Sequence, residues 1–285
     1  MEEQPQVYKS NALVEASYRL SIYEQRIILA AISQVRRDTP LTDQHLYRVS
    51  AQEIAEMSGV KVDRAYGLMK EAAERLFERR VTLHKEPNGG PARTLVTRWV
   101  QAVEYIESEG SVGLQFAHRM LPYLAQLTEQ FTHYALVDVA KMTSAYGIRL
   151  YELLIQWRGT GERVIELDWL RDALQLEGKY PDIQNLKRRV LEPAVDQINE
   201  LSPLWVKWEQ RKTGRRVTHI IFKFGEKSDS KPKKQKKLPI PQKKNAKLSL
   251  PRSYIEKHKQ SGEDIESADQ RLLFEIRTGK REAPK

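Results

Sequence analysis

Apolar residues recur at helical spacing through much of the chain. Ile27, Ile28, Ala31, Ile32 and Val35 mark one face of a helix. Before them, Ser21-Ile22-Tyr23-Glu24 is a capping box, in which Ser at the N-cap and Glu three residues later satisfy two orphan backbone donors. The helix is expected to end near Arg36-Arg37, with Pro40 beyond. Residues 11–18 predict a shorter helix ahead of it. Leu46-Tyr47-Arg48-Val49 predicts a strand, and Ser50-Ala51-Gln52-Glu53 is a second capping box opening a helix through Met57. Gly59 supplies a turn. A longer helix over about 62–78 then carries Ala65, Leu68, Met69, Ala72 and Leu76 on one face. Helix, short glycine turn and longer helix make a helix-turn-helix. Two β-rich runs follow, 80–85 and 93–105, split by Pro87-Asn88-Gly89-Gly90-Pro91. They predict a hairpin in the position of a wing. Residues 112–117 predict a further strand and 121–127 a connecting helix.

The same order then recurs. A helix is expected over about 144–157. The strand Val164-Ile165-Glu166-Leu167 leads to Asp168 as N-cap of a helix ending near Leu176, and Gly178 breaks it. A long helix starts at Pro181, a favourable first-turn proline, and runs toward Asn199. Its buried face is Ile183, Leu186, Val190, Ala194 and Ile198. Pro193 predicts a kink, because its ring clashes with the Arg189 carbonyl and one backbone bond is lost. A last hairpin has strands at 205–209 and 217–224 around Lys212-Thr213-Gly214-Arg215. Tyr47-Arg48-Val49-Ser50 and Ile165-Glu166-Leu167-Asp168 stand as equivalent strand-to-cap segments. The fold class is α+β: two tandem winged-helix domains, 8–127 and 128–225, and a basic, partly disordered C-terminal tail, 226–285. In that tail, residues 255–276 predict a short helix with Leu272, Leu273, Phe274 and Ile276 as a docking face.

Charge adds a second division. The 285 residues carry 48 Lys+Arg and 38 Asp+Glu, a net +10. Residues 226–285 hold 17 basic and 9 acidic residues, leaving 31 − 29 = +2 for residues 1–225. Within those, residues 179–223 hold 10 basic and 5 acidic residues. The basic excess of the folded part is therefore concentrated in the second long helix and its hairpin. Lys231-Pro232-Lys233-Lys234 and the lysines and prolines after it predict an unfolded arm. There is no cysteine, which excludes disulfides, thiol catalysis and Cys-based zinc fingers. No apolar run approaches the ~18–20 residues of a membrane span. The first residues, Met1-Glu2-Glu3-Gln4-Pro5, lack the pattern of a secretory signal, so a cytoplasmic protein without a membrane partner is expected.

The candidate chemistry is DNA binding. On the second long helix Asn185 and Arg189 lie opposite the buried face and Arg188 lies on the flank. Lys187 falls near the apolar stripe and must snorkel. Lys179 precedes the helix. A helix N-terminus attracts phosphate, and arginine grips guanine in a bidentate pair. The hairpin adds Arg211, Lys212, Arg215 and Arg216 as a backbone clamp. The first long helix offers Arg64, Gly67 and Lys70, but its C-terminal half turns acidic at Glu71, Glu74 and Glu78. Arg93 is assigned to its wing, with Arg79, Arg80, Lys85 and Arg98 in or beside it. A phosphate-binding loop of the G-x-x-x-x-G-K-[ST] type is missing, and the six histidines stand apart, with no metal-ligand spacing. No catalysis, metal or cofactor is expected, which disfavours a nicking enzyme.

Three segments carry a resemblance. Residues 9–21 (Lys9-Ser10-Asn11-Ala12-Leu13-Val14-Glu15-Ala16-Ser17-Tyr18-Arg19-Leu20-Ser21) with Glu24-Gln25-Arg26 form the first. Tyr180-Pro181-Asp182, the run from Lys187 to Val195, and Ile198-Asn199 form the second, and Thr218-His219-Ile220-Ile221-Phe222 the third. Together they resemble the iteron-binding plasmid replication initiators. The resemblance implies binding of directly repeated double-stranded origin DNA. It gives base reading to Lys187, Arg188 and Arg189, and phosphate contacts to the matching wing. The first domain would contact the rest of the repeat and mediate dimerisation, with monomer and homodimer in equilibrium. Origin opening, recruitment of a host initiator and replicative helicase, and repression of the protein's own promoter are further implications. A dedicated transcriptional repressor of the same fold is the alternative.

Overall fold

The structure, a computed structural model, describes residues 4–36, 42–89, 92–125, 127–227, 250–260, 263 and 265–277. The chain forms two compact units, Met1–Ser228 and Asp229–Lys285. The larger unit begins with β1 (Gln6–Ser10), α1 (Asn11–Val14), β2 (Ser17–Tyr18) and α2 (Ile22–Ser33). β3 (Tyr47–Ser50), α3 (Ala51–Ser58) and α4 (Val62–Phe77) follow. Both capping boxes form, Ser21 with Glu24 and Ser50 with Glu53. Gly59 closes α3 at φ +73, the left-handed cap that glycine adopts without strain. The chain continues through β4 (Arg80–Lys85), β5 (Ala92–Arg98), β6 (Val100–Ile106) and β7 (Ser111–Phe116). Next come α5 (Leu121–Leu124), β8 (Phe131–Ala135), α6 (Val137–Ala140) and α7 (Ala145–Ile155). The second passage has β9 (Glu162–Glu166), α8 (Leu167–Ala173), α9 (Ile183–Leu186), a π turn at Lys187–Leu191, α10 (Glu192–Leu201), β10 (Leu204–Thr213) and β11 (Arg216–Glu226).

Strand pairing exposes the repeat. β3 pairs with β7 and β7 with β6; β9 pairs with β11 and β11 with β10, all antiparallel. In each copy a helix pair is spliced between the first strand and the hairpin, which is the winged-helix arrangement. Outside the two copies a further ladder pairs β1 with β8, centred on Tyr8 opposite His133. One hydrophobic core runs through both, with Tyr18, Trp99, Phe116, Tyr151 and Phe222 fully buried.

A polar knot lies beside that ladder. Glu152 of α7 is fully buried and accepts from Lys9 Nζ (2.5 Å), Tyr134 Oη (2.6 Å), Arg149 (2.9 Å) and Tyr18 Oη (3.2 Å). Arg149 also donates to the carbonyls of Val14 and Ala16. Burial raises the carboxyl's pKa, but the charges of Lys9 and Arg149 and their hydrogen bonds outweigh it and hold it at about 2.

Several expectations are corrected. The helix predicted over 11–18 stops at Val14, because Ser17 and Tyr18 pair instead with Thr82 and Val81 of β4. The run 93–105 is two strands in two sheets: Trp99, with no exposed surface, drops into the core and breaks it. The β4–β5 hairpin is therefore an insertion in the sheet β2-β4-β5, and the wing of the first copy is β6–β7. The connecting helix ends at Leu124, where Ala125 turns extended. Asp168 lies in the first turn of α8; the N-cap is Glu166, so Ser50 and Glu166 are the equivalent positions. α8 ends at Ala173 rather than Leu176. The long helix starts at Ile183 behind the N-cap Asp182, with Pro181 outside it. Instead of a kink at Pro193, the helix widens into the π turn that ends at Leu191, absorbing the lost backbone bond. Leu186, Val190, Ala194 and Ile198 are buried as expected and Ile183 is half-buried.

The smaller unit has two helices where one was expected, α11 (Arg252–His258) and α12 (Ile265–Arg277). Leu272 faces inward, packed with Ile255 and Ala268, so it belongs to a small core rather than a docking face. Leu273 and Ile276 are half-buried, and the Phe274 side chain lies outside the described residues. The lysine-rich arm after Lys231 also lies outside them.

Candidate nucleic-acid interface

The second copy presents its basic residues on two elements that face each other across a groove. Asp182 accepts from the Asn185 backbone N–H at 3.2 Å and so fixes where the reading helix begins. The turn before it bends sharply: Gly178 sits at φ +68 and Tyr180 at φ +49. Arg171 of α8 gathers that turn by donating to the carbonyls of Lys179 (3.2 Å), Tyr180 (2.8 Å) and Pro181 (3.3 Å). One guanidinium thus holds the helix pair at its angle. Lys179 is half-buried beside the turn. Arg188 donates to the Asn185 side chain at 3.2 Å, which steers both groups together on the outer face. Arg189 is exposed, and no ion pair engages it among the described residues. Lys187 snorkels as expected: its ammonium stands 5.9 Å from the centre of the Trp208 ring on the wing strand.

The wing is braced from behind. Asn199 of α10 donates to the Val206 carbonyl (2.9 Å) and accepts from the Val206 N–H (2.7 Å), tying β10 to the reading helix. At the far end Gly214, φ +61, makes the tip. Arg211, Lys212, Arg215 and Arg216 are all exposed there, and no ion pair involving them is formed among the described residues. A groove of about 660 Å³ runs between helix and wing, with Lys187 on one wall and Lys212, Arg215 and Arg216 on the other. Its lining also holds the exposed acidic residues Glu166, Asp168 and Asp182. The cations attract an anionic strand, and the three carboxylates limit where along the groove it can lie.

The first copy differs. Arg64 and Lys70 are exposed on α4, and a side chain at Gly67 would meet open space. Lys70 is already engaged: its ammonium bonds Glu107 at 2.9 Å, which holds it above the usual lysine pKa, and lies over the Tyr105 ring. The true wing tip is Glu107-Ser108-Glu109-Gly110, and Arg48 pairs with Glu109 at 3.0 Å. Arg93 is not on this wing. It lies on the inserted hairpin, paired with Glu86 at 2.8 Å. Lys85, Arg79 and Arg98 are likewise paired, with Glu15, Glu24 and Glu78. The structure thus brings Lys187, Lys212, Arg215 and Arg216 together and leaves Arg64 and Lys70 on α4 and Arg93 on the inserted hairpin. Sequence reasoning missed Arg171, whose three acceptors are carbonyls of a turn that no spacing rule marks, and it missed the acidic first wing.

Among the described residues no helix is long and apolar enough to cross a membrane, and no group of three His, Cys, Asp or Glu is placed to hold a metal ion. Comparison with known proteins gives consistent matches. A family profile described as Initiator Replication protein, WH1, matches residues 6–155, and one described as Initiator Rep protein, WH2, matches residues 166–224. The chain is 26% identical over 223 residues to a replication initiation protein of Escherichia coli, covering 76% of this chain and 68% of that one. It is 23% identical over 245 residues to the PI protein of Escherichia coli, covering 75% and 80%. A 27.6 kDa Escherichia coli protein described as uncharacterized is 29% identical over 227 residues, 76% of this chain and 94% of that one. A crystal structure of a Pi initiator protein in complex with iteron DNA shares the fold, with a TM-score of 0.66 at 20% identity over 80% of this chain and all of that one.

Proposed function

This chain belongs to the initiator replication protein family, and we propose from that premise that it starts plasmid replication by binding repeated origin sequences through its two winged helices. The observation that carries this reading is the groove of the second copy, where a reading helix and a projecting wing offer cations to one strand from opposite sides. In this reading Arg188 and Arg189, with Asn185 and Lys187, read bases in the major groove. Lys179, Arg211, Lys212, Arg215 and Arg216 hold phosphates. Arg64 and Lys70 give the first copy an auxiliary contact, and the two helices enter groove faces about 34 Å apart. The relative solved with iteron DNA supports the choice of ligand.

The functional division follows the proposed boundaries: 8–127 for dimerisation and auxiliary contact, 128–225 for reading, 226–285 for the arm. The protein acts by binding, without catalysing a reaction, in the bacterial cytoplasm at the plasmid origin. A monomer–homodimer equilibrium, contacts with a host initiator and a replicative helicase, and repression of its own promoter complete the proposal. Footprinting the full chain on the DNA flanking its gene tests it. Several evenly spaced protected repeats are expected; a single protected operator would overturn the initiator reading in favour of a repressor.

A further inference from the structure

The strongest unassigned feature lies where the two copies meet. A cavity of about 160 Å³ opens there, lined by Arg19, Arg79 and Arg149 with Ser21, Ala145 and Tyr146. That volume is comparable to a cavity of about 150 Å³ that holds one benzene molecule, so one tetrahedral oxyanion fits.

The charges around it do not balance. Glu24 is shared by Arg75 and Arg79, and Glu152 is shared by Lys9 and Arg149. Arg19 is exposed beside Tyr146 and makes no hydrogen bond or ion pair among the described residues. Arg75 also pairs with Glu71, so five cations, Arg19, Arg75, Arg79, Lys9 and Arg149, face three carboxylates, Glu24, Glu71 and Glu152. A further carboxylate, Asp172, is engaged by Ser17 at 2.5 Å and stands 3.7 Å from His84.

Two more observations point to an anion. Arg149, only 2% exposed, has four of its donor contacts made, yet its Nε is buried with no partner. A buried N–H left unpaired is uncommon and calls for an acceptor. The helix α7, of 11 residues, also begins at the cavity wall, at Ala145, so the positive end of its dipole lies beside the cavity, whereas that of α2 is already met by Glu24.

We propose that this junction cavity is an oxyanion site that takes a single phosphate group and, when filled, clamps the two winged helices together. Phosphate from solution and a phosphate of the DNA backbone share the chemistry, and the test separates them. Thermal unfolding of the full chain is followed while inorganic phosphate replaces chloride at constant ionic strength. The melting temperature is expected to rise and saturate. Arg19→Gln, which breaks no contact of the free protein, should leave the melting temperature in chloride unchanged and abolish the saturable rise. The wing and the lysine arm also attract phosphate, so an equal rise in R19Q would overturn the proposal, as would no rise in the unaltered chain. Duplex affinity is then measured with and without saturating phosphate. Competition that R19Q removes assigns the site to a backbone phosphate; duplex affinity indifferent to phosphate assigns it to the free anion.

Discussion

The two wings are the same element put to different uses. β6–β7 ends flush with its sheet: Ser50, the last residue of β3, pairs with Ser111 at the very tip. β10–β11 runs on past Glu166, the last residue of β9, by about three residues, roughly 10 Å at ordinary strand rise. The short wing ends in Glu107 and Glu109, each already paired with a cation of its own copy. The long wing ends in Lys212, Arg215 and Arg216, which are exposed. Strand order is repeated between the copies, whereas reach and charge are not. Topology here is set by the buried residues, while the exposed tips are open to change without cost to the core.

Breaking the junction has the largest expected effect, since it removes the frame in which the wings are compared. Glu152→Ala strands Lys9 and Arg149 in the core and is expected to cost about 3–5 kcal/mol in chemical denaturation. The pH sign follows from a folded pKa below the ordinary carboxylate value. The stabilisation is complete above about 4.5 and is lost as pH falls toward about 2, and Glu152→Gln should flatten that acid limb.

Reversing the long wing comes next. A combined Lys212→Glu, Arg215→Glu and Arg216→Glu variant is expected to lose about 10²–10³-fold in duplex affinity and to lower the salt slope by about 2.7 if each residue neutralises one phosphate. Arg188→Ala should cost about 1–3 kcal/mol on the origin repeat and clearly less on random duplex; equal losses in a binding titration would remove it from base reading. Truncation after Gly225 is expected to reduce affinity for random duplex and the salt slope while sparing preference for the repeat, as competition binding would read out. Smallest of all, Glu107→Lys with Glu109→Lys on the short wing should shift duplex affinity by no more than about 0.5 kcal/mol. A gain or loss as large as that of the long wing would erase the distinction between them.

Local signals were legible and tertiary ones were not. Ser21 with Glu24, Ser50 with Glu53, and Gly59 announce helix ends because each motif acts within one turn. The buried stripe from Leu186 to Ile198 follows from helical spacing alone. The wing of the first copy was misplaced because alternation marks a strand without naming its sheet, and only the burial of Trp99 separates β5 from β6. Asp168 was favoured as an N-cap on residue type, yet the β9 ladder runs to Glu166 and fixes the helix start there. In the second copy the cationic residues were legible as a set, but their convergence on one groove depends on Arg171 and Asn199, whose partners are backbone groups of other elements.

The β1–β8 ladder has a consequence for how the protein is made. The strand β1 has its pairing partner at residues 131–135, and Lys9 reaches its carboxylate only at Glu152, 143 residues downstream. At a bacterial pace of about 5–20 residues per second that interval lasts about 7–30 s. Until β8 is made, β1 lacks its strand partner, and until Glu152 follows, Lys9 lacks its counter-ion. Residues 6–10 are therefore completed only by β8 and α7, and a ribosome stalled before β8 would release a chain with an open β1 edge and an uncompensated Lys9.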